Sequence, residues 1–152
     1  MLQYFDIGVP ADWKEDNTPI TVADEAINQM VVERLADEYP DHGVIGEEAS
    51  TVKPDSRFQW VCDPIDGTLP YMLGIPTNVF SLALCEEGQP IVAVIGDPYL
   101  QRTYTATLGG GAFVNDRKLA VSNRAELRGS ILNVSGRSRG NAAWGAAIYY
   151  DL

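Results

Sequence analysis

Between residues 17 and 40 the apolar positions Ile20, Ala23, Ile27, Met30, Val31 and Leu35 recur at three- and four-residue steps, the spacing of one helix face. Thr18 or Thr21 stands where such a helix needs a cap, and Tyr39-Pro40 ends it. Downstream the period shortens toward that of strands. Val44-Ile45-Gly46 predicts a short strand running out into Glu47-Glu48, and residues 58–62 predict a buried strand that delivers Asp63-Pro64-Ile65-Asp66-Gly67-Thr68 at its carboxyl end. Residues 78–88 and 89–98 read as two strands joined through Gly88. Residues 101–115 read as a third, with Gly109-Gly110-Gly111 marking a turn or bulge. Trp60, Phe80 and the alternation over 78–84 are expected in the core. Residues 129–137 predict one more strand and 141–152 a short helical pattern. A helix, a run of strands and a closing helix indicate α+β, a mostly antiparallel sheet with flanking helices.

The chain has 152 residues, 45% of them apolar and 21% charged, which suits a single domain over 1–152. Its 21 acidic and 11 basic side chains give a net charge of −10. That balance argues against nucleic acid as a partner, since phosphate binding needs clustered Lys and Arg. Cys62 and Cys85 lie inside apolar runs and show no metal-binding or disulfide spacing, so both are expected as reduced, buried thiols. The first residues show no basic segment leading into an apolar one, and no apolar run is long enough for a bilayer. A cytoplasmic protein without a membrane partner is the expectation.

Asp63 and Asp66 stand three residues apart around Pro64, and like charges so close call for a cation. Hard divalent ions such as Mg²⁺ take oxygen ligands from carboxylates and carbonyls. The Asp63 and Asp66 carboxylates and the Ile65 carbonyl supply them on a loop that proline stiffens. If the strand before Glu47 neighbours the one before Asp63, Glu47 and Asp63 can share a metal. Two metals form a clamp for phosphoryl displacement. Gly67 and Thr68 then open a turn or helix whose free amides suit a phosphate, and the Thr68 hydroxyl suits orientation of a water. His42, the single histidine, is read as a turn residue. Ser135 and Ser138 lack a partnered histidine, and Arg137 and Arg139 are read as a surface loop.

The stretches TPITVADE, VIGEEAS, WVCDPIDGT and GGGAFVNDRKLAVS, in this order, resemble the inositol monophosphatase family of Mg²⁺-dependent, lithium-sensitive phosphatases. The resemblance implies a Mg²⁺-dependent phosphomonoesterase that hydrolyses a polyol or sugar monophosphate with a metal-activated water. It implies Glu47, Asp63, the Ile65 carbonyl and Asp66 as metal ligands, with Glu47 also activating the water and Glu48 beside it. It implies phosphate binding by Asp66, Gly67 and Thr68. Thr68 would orient the nucleophile, Asp24 would hydrogen-bond Thr68, and Lys14 would lie on a loop that closes over the site. The implied fold is the amino-terminal half of an α/β/α/β/α layered sandwich, incomplete at both ends relative to the family. The implied partners are a small phosphorylated alcohol and a second copy in a homodimer. The family's Trp-Asp motif does not occur here, and Leu69-Pro70-Tyr71 departs from the nucleotide-specific relatives. The alternative is a catalytically inactive homologue that keeps the fold and a partial metal site.

Overall fold

The structure, a computed structural model, describes residues 1–126. Met1–Leu119 form one compact unit, and a second begins at Ala120, whose described part, residues 120–126, carries no helix or strand. The strand expected over 129–137, the helix over 141–152, and Ser135, Arg137, Ser138 and Arg139 lie outside the described residues, so the single-domain expectation reaches beyond them as well.

A short 3-10 turn (Leu2–Tyr4) precedes a two-stranded antiparallel hairpin of β1 (Ala11–Trp13) and β2 (Pro19–Thr21). Helix α1 (Val22–Glu38) follows without a linker. Its start is set by Thr21, not Thr18. The Thr21 hydroxyl accepts the Asp24 amide, and the Asp24 carboxylate accepts the Thr21 amide at 2.8 Å, a reciprocal cap that satisfies two otherwise orphaned donors. Ile20 therefore belongs to β2 and not to the helix face. Met30 also departs from the expected face, at 59% exposure. The buried stripe is Ala23, Asp24, Ile27, Asn28, Val32 and Leu35, and two of its six members are polar.

Among the described residues, seven strands form one sheet in simple sequence order: β3 (Gly43–Gly46), β4 (Phe58–Asp66), β5 (Val79–Glu86), β6 (Gln89–Asp97), β7 (Arg102–Thr107), β8 (Gly111–Val114) and β9 (Arg117–Lys118). Of these strand pairs the β3–β4 pair alone is parallel, so among the described residues the mostly antiparallel sheet expected from the sequence is what forms. β5 and β6 meet through the two-residue turn Glu87-Gly88. The segment 101–115 is two strands rather than one, because the turn at Leu108-Gly109-Gly110 folds β8 back onto β7. β4 runs past Cys62 to Asp66, with its register to β5 shifting between Asp63 and Asp66, where Pro64 has no N–H to give the ladder.

Two apolar clusters hold α1 to the sheet. Val32 and Leu35 pack with Val44, against Trp60 and Leu82, while Ala23 and Ile27 pack with Val9, Ile65 and Tyr71, against Phe80. Trp60 and Phe80 are half-buried instead of fully so, and the same holds for every residue of β5 and for Cys85, because α1 covers the sheet incompletely. Cys62 is buried. His42 serves the fold: its Nδ1 accepts the Trp60 indole N–H at 3.1 Å and its ring stacks on Tyr39. None of the helices among the described residues is long and apolar enough to cross a membrane.

Since Thr21 is buried and closes the cap, Thr21→Ala is expected to cost about 1–2 kcal/mol, with Thr21→Ser near the parent. Urea-denaturation midpoints of the three chains check this. Equal midpoints would mean that packing alone sets the helix start.

Candidate metal centre

The parallel β3–β4 pair decides where the acidic groups lie. Gly46 pairs with Cys62, and the Glu47 amide donates to the Cys62 carbonyl at 3.1 Å, one step beyond the strand. Glu47 is thereby placed beside Asp63, the neighbourhood that the shared-metal reading requires. The Asp63 Oδ1 accepts the Ile65 amide at 3.0 Å, closing a tight turn across Pro64. Its carboxyl and that of Glu47 lie within hydrogen-bonding reach. Burial and then the adjacent Glu47 carboxylate push Asp63 up to about 7, with Asp66 adding to the effect. Burial and Asp63 also push the Cys62 thiol up to about 12, which leaves it inert as a nucleophile.

Lys14, next to the end of β1, reaches this cluster. Its Nζ lies 2.8 Å from Glu47 Oε1 and 2.7 Å from Glu48 Oε1. Burial works to lower its pKa, yet the two carboxylates outweigh burial and raise it. Glu48, nearly buried, is also raised, because its own desolvation exceeds what one shared ammonium returns. The two directions agree once charge is counted. A single ammonium faces Glu47 and Glu48 with Asp63 beside them, so the cluster stays short of positive charge.

Gly67 takes φ 97°, a region open to glycine, and starts the short helix α2 (Thr68–Met72). This turn brings the Thr68 hydroxyl to 3.2 Å from both Asp24 Oδ1 and the Ile65 carbonyl oxygen. A hydroxyl has one proton, so it is shared between these acceptors and the Thr68 lone pairs remain for another donor. Asp24 is fully buried, with Oδ2 spent on the Thr21 cap and Oδ1 on Thr68. Asp66 is exposed at the end of β4. Glu47, Asp63, Ile65, Thr68 and Asp24 therefore share one locality, with Asp66 at its rim.

Two buried asparagines belong to the same locality and were not anticipated. Asn28 on α1 donates from Nδ2 to the Ala49 carbonyl at 3.0 Å and accepts the Glu48 amide at 3.4 Å, holding the loop after β3. A side chain at Gly46 would strike Asn28, its Cβ falling 2.2 Å from Asn28 Oδ1. Asn78 packs against Gly67 and accepts the Tyr99 hydroxyl at 2.7 Å. The available signal for Asn28 was its spacing. Thr21, Asp24 and Asn28 form a polar row at three- and four-residue steps beside the apolar one.

The profile of the Inositol monophosphatase family matches residues 2–146. The chain belongs to the inositol monophosphatase family. It is 43% identical over 121 residues to a Nus factor SuhB of Xylella fastidiosa, covering 78% of this chain and 44% of that protein. To a histidinol-phosphatase of Mycobacterium tuberculosis it is 39% identical over 132 residues, covering 84% of this chain and 51% of the relative. The solved structure of the Thermotoga maritima IMPase superposes with a TM-score of 0.74 at 30% identity, over 82% of this chain and 48% of that one. The chain thus spans about half the length of the relatives that it matches, and its fold is that of the corresponding part of the IMPase.

Proposed function

We propose that this chain carries the metal-binding and water-orienting part of a Mg²⁺-dependent phosphomonoesterase acting on a small phosphorylated alcohol. One observation supports it above the rest: the parallel β3–β4 pair sets Glu47 beside Asp63, with a cation, the Lys14 ammonium, already between Glu47 and Glu48. An all-oxygen set of carboxylates and the Ile65 carbonyl suits a hard divalent ion, so the residues fit Mg²⁺. Glu47, Asp63, the Ile65 carbonyl and Asp66 would hold it. When bound, it supplies Lewis-acid polarisation of the phosphoryl group and a lowered pKa for water.

The rest is the work of the chain. Glu47 takes the proton that the attacking water gives up. The Thr68 hydroxyl, its own proton committed to Asp24 and Ile65, accepts a hydrogen bond from that water and fixes its direction. Asp24 keeps Thr68 in that role from a buried position. Gly67 and Thr68 present backbone amides to the phosphate. The turn at Asp63-Pro64-Ile65 fixes the Asp63 carboxylate relative to Ile65 before substrate arrives.

The test is release of phosphate from inositol 1-phosphate and from histidinol phosphate by the purified 152-residue chain, without Mg²⁺, with it, and with Li⁺ added. Magnesium-dependent release that Li⁺ suppresses is expected. A folded chain that neither releases phosphate nor takes up Mg²⁺ in a calorimetric titration overturns the proposal. A second reading, a module that keeps the fold without turnover, draws on a different observation: no group of three acidic or metal-ligating side chains is gathered in ligating geometry among the described residues. A folded chain that shows no release from either substrate and only weak Mg²⁺ uptake is its signature.

A further inference from the structure

We propose that Asn78, held by the Tyr99 hydroxyl, is a positioning residue for Thr68: it backs the Gly67 turn and so keeps the Thr68 hydroxyl on its two acceptors. The inference rests on the water-orienting role given to Thr68 above and extends it to two residues outside the carboxylate cluster. Thr68 needs such support. The β4–β5 ladder loses register between Asp63 and Asp66 and resumes only at the pair Asp66–Val79. Beyond that pair the chain turns at Gly67, in the left-handed region, and enters a helix of five residues. A helix that short is not stable on its own hydrogen bonds. Its body is held by Tyr71, fully buried, whose hydroxyl donates to the Met1 carbonyl at 2.8 Å. Its entry, the Gly67 turn, is held by Asn78.

Asn78 stands one residue before β5, beside the partner of Asp66, and is 1% exposed. A Cβ on Gly67 would lie 3.3 Å from Asn78 Cβ and 3.5 Å from Asn78 Cα, so the two residues meet closely with no side chain at 67 between them. Contact this close passes a shift of Asn78 to Gly67, and from there to Thr68, the next residue. Both ends of the Asn78 amide are spent away from the turn. Nδ2 donates to the Ile75 carbonyl at 3.1 Å, and Oδ1 accepts the Tyr99 hydroxyl at 2.7 Å. Burial raises the Tyr99 phenol above its ordinary value, so it stays protonated and donates. Tyr99 is itself fixed. Its amide and that of Leu100 both donate to Asp97 Oδ1 at 3.0 Å, and its ring meets Phe5 edge-on at 4.8 Å. Phe5 in turn lies 5.4 Å from the Tyr71 ring, so the two supports of α2 share one aromatic anchor. Without the Tyr99 hydroxyl the Asn78 oxygen becomes a buried acceptor that has lost its donor, and the segment must move to satisfy it.

Tyr99→Phe removes that one hydroxyl and keeps the ring on Phe5. The readout is the Tyr71 amide, which donates to the Gly67 carbonyl at 3.1 Å and closes the first turn of α2. Its hydrogen exchange is followed by NMR in the metal-free 152-residue parent, Tyr99→Phe, Asn78→Ala and the double variant, with the β5–β6 ladder amides as internal reference. In Tyr99→Phe the Tyr71 amide is expected to exchange about tenfold faster while the ladder amides keep the parent's rates. In the Asn78→Ala background Tyr99→Phe is expected to add nothing, since its effect runs through Asn78. For phosphate release from inositol 1-phosphate at saturating Mg²⁺, kcat is expected to fall about tenfold in Tyr99→Phe. KM and the calorimetric Mg²⁺ affinity are expected to stay near the parent's, because Glu47 and Asp63 lie ahead of the turn. Unchanged exchange at Tyr71, or ladder amides that speed up in step with it, overturns the proposal. So does an unchanged kcat beside faster exchange. If Asn78→Ala does not fold, Tyr99→Phe decides alone. A folded parent that releases no phosphate counts against the phosphatase reading only, and the exchange rates still decide whether Asn78 sets the turn.

Discussion

Asp63→Asn is expected to leave the chain folded, to abolish Mg²⁺ uptake and Mg²⁺-dependent hydrolysis, and to remove a pH dependence of stability that the parent shows. The substitution keeps a side-chain oxygen to accept the Ile65 amide, so the turn across Pro64 survives. What disappears is the second carboxylate oxygen and the charge that stands beside Glu47. In the metal-free parent, burial and then Glu47 push Asp63 up to about 7, well above the ordinary aspartate value near 4. The folded chain thus holds this proton more tightly than the unfolded chain. Its contribution to stability is fully present below about pH 4 and is lost as pH rises through about 7. Asparagine has nothing to titrate, so its stability profile is expected to lack this fall. Mg²⁺ works in the opposite sense, since it needs the carboxylate, and its affinity for the parent is expected to weaken as pH drops below 7. Denaturation midpoints at several pH values, with and without Mg²⁺, read both effects. An Asp63→Asn chain that binds Mg²⁺ like the parent would remove Asp63 from the site. One that keeps the parent's pH slope would assign the slope to another group.

Much of this locality was legible because the chemistry is written in short, contiguous stretches. Asp63, Ile65, Asp66, Gly67 and Thr68 sit on one strand and its turn, so local sequence places them together whatever the rest of the chain does. Glu47 needed one further inference, that two strands are neighbours, and the pairing of Gly46 with Cys62 supplies it. The pattern failed where a face is set by tertiary cover. Met30 has the helical spacing of a core residue, yet it stands 59% exposed, and nothing in that spacing says how far the cover over a helix face reaches. The count of strands failed for a different reason. A run such as Thr105–Phe113 has no polar break, and only the glycines hint that it folds back on itself. The buried polar row of Asp24 and Asn28 escaped because an apolar count skips it. Its members are buried by what they hold, Thr68 in one case and the loop after β3 in the other.

Gly46→Ala is the substitution expected to harm fold and site together. The added Cβ would fall 2.2 Å from Asn28 Oδ1 and 2.3 Å from the Ala49 carbonyl oxygen, distances that no pair of unbonded atoms tolerates. Neither neighbour is a loose end. Asn28 is buried on α1 and bonded at both ends of its amide, and the Ala49 carbonyl is the acceptor of one of those bonds. Relief therefore requires the loop carrying Glu47 and Glu48 to lift from α1, which breaks the two Asn28 hydrogen bonds and leaves a buried amide unsatisfied. Overpacking at about 1–3 kcal/mol together with the unsatisfied amide gives an expected loss of about 3 kcal/mol or more. Lifting the loop also carries Glu47 away from Asp63, so Mg²⁺ uptake is expected to weaken by about tenfold at the least, read by calorimetry at a temperature where the variant remains folded. Gly43→Ala is the matched control on the same strand. Its Cβ would meet Gln59 Cγ at 3.4 Å, an ordinary contact, and its cost is expected to stay within about 1 kcal/mol. Equal behaviour of the two variants would mean that the loop after β3 yields freely, and that the position of Glu47 is set by the strand pair alone and not by the asparagine beneath it.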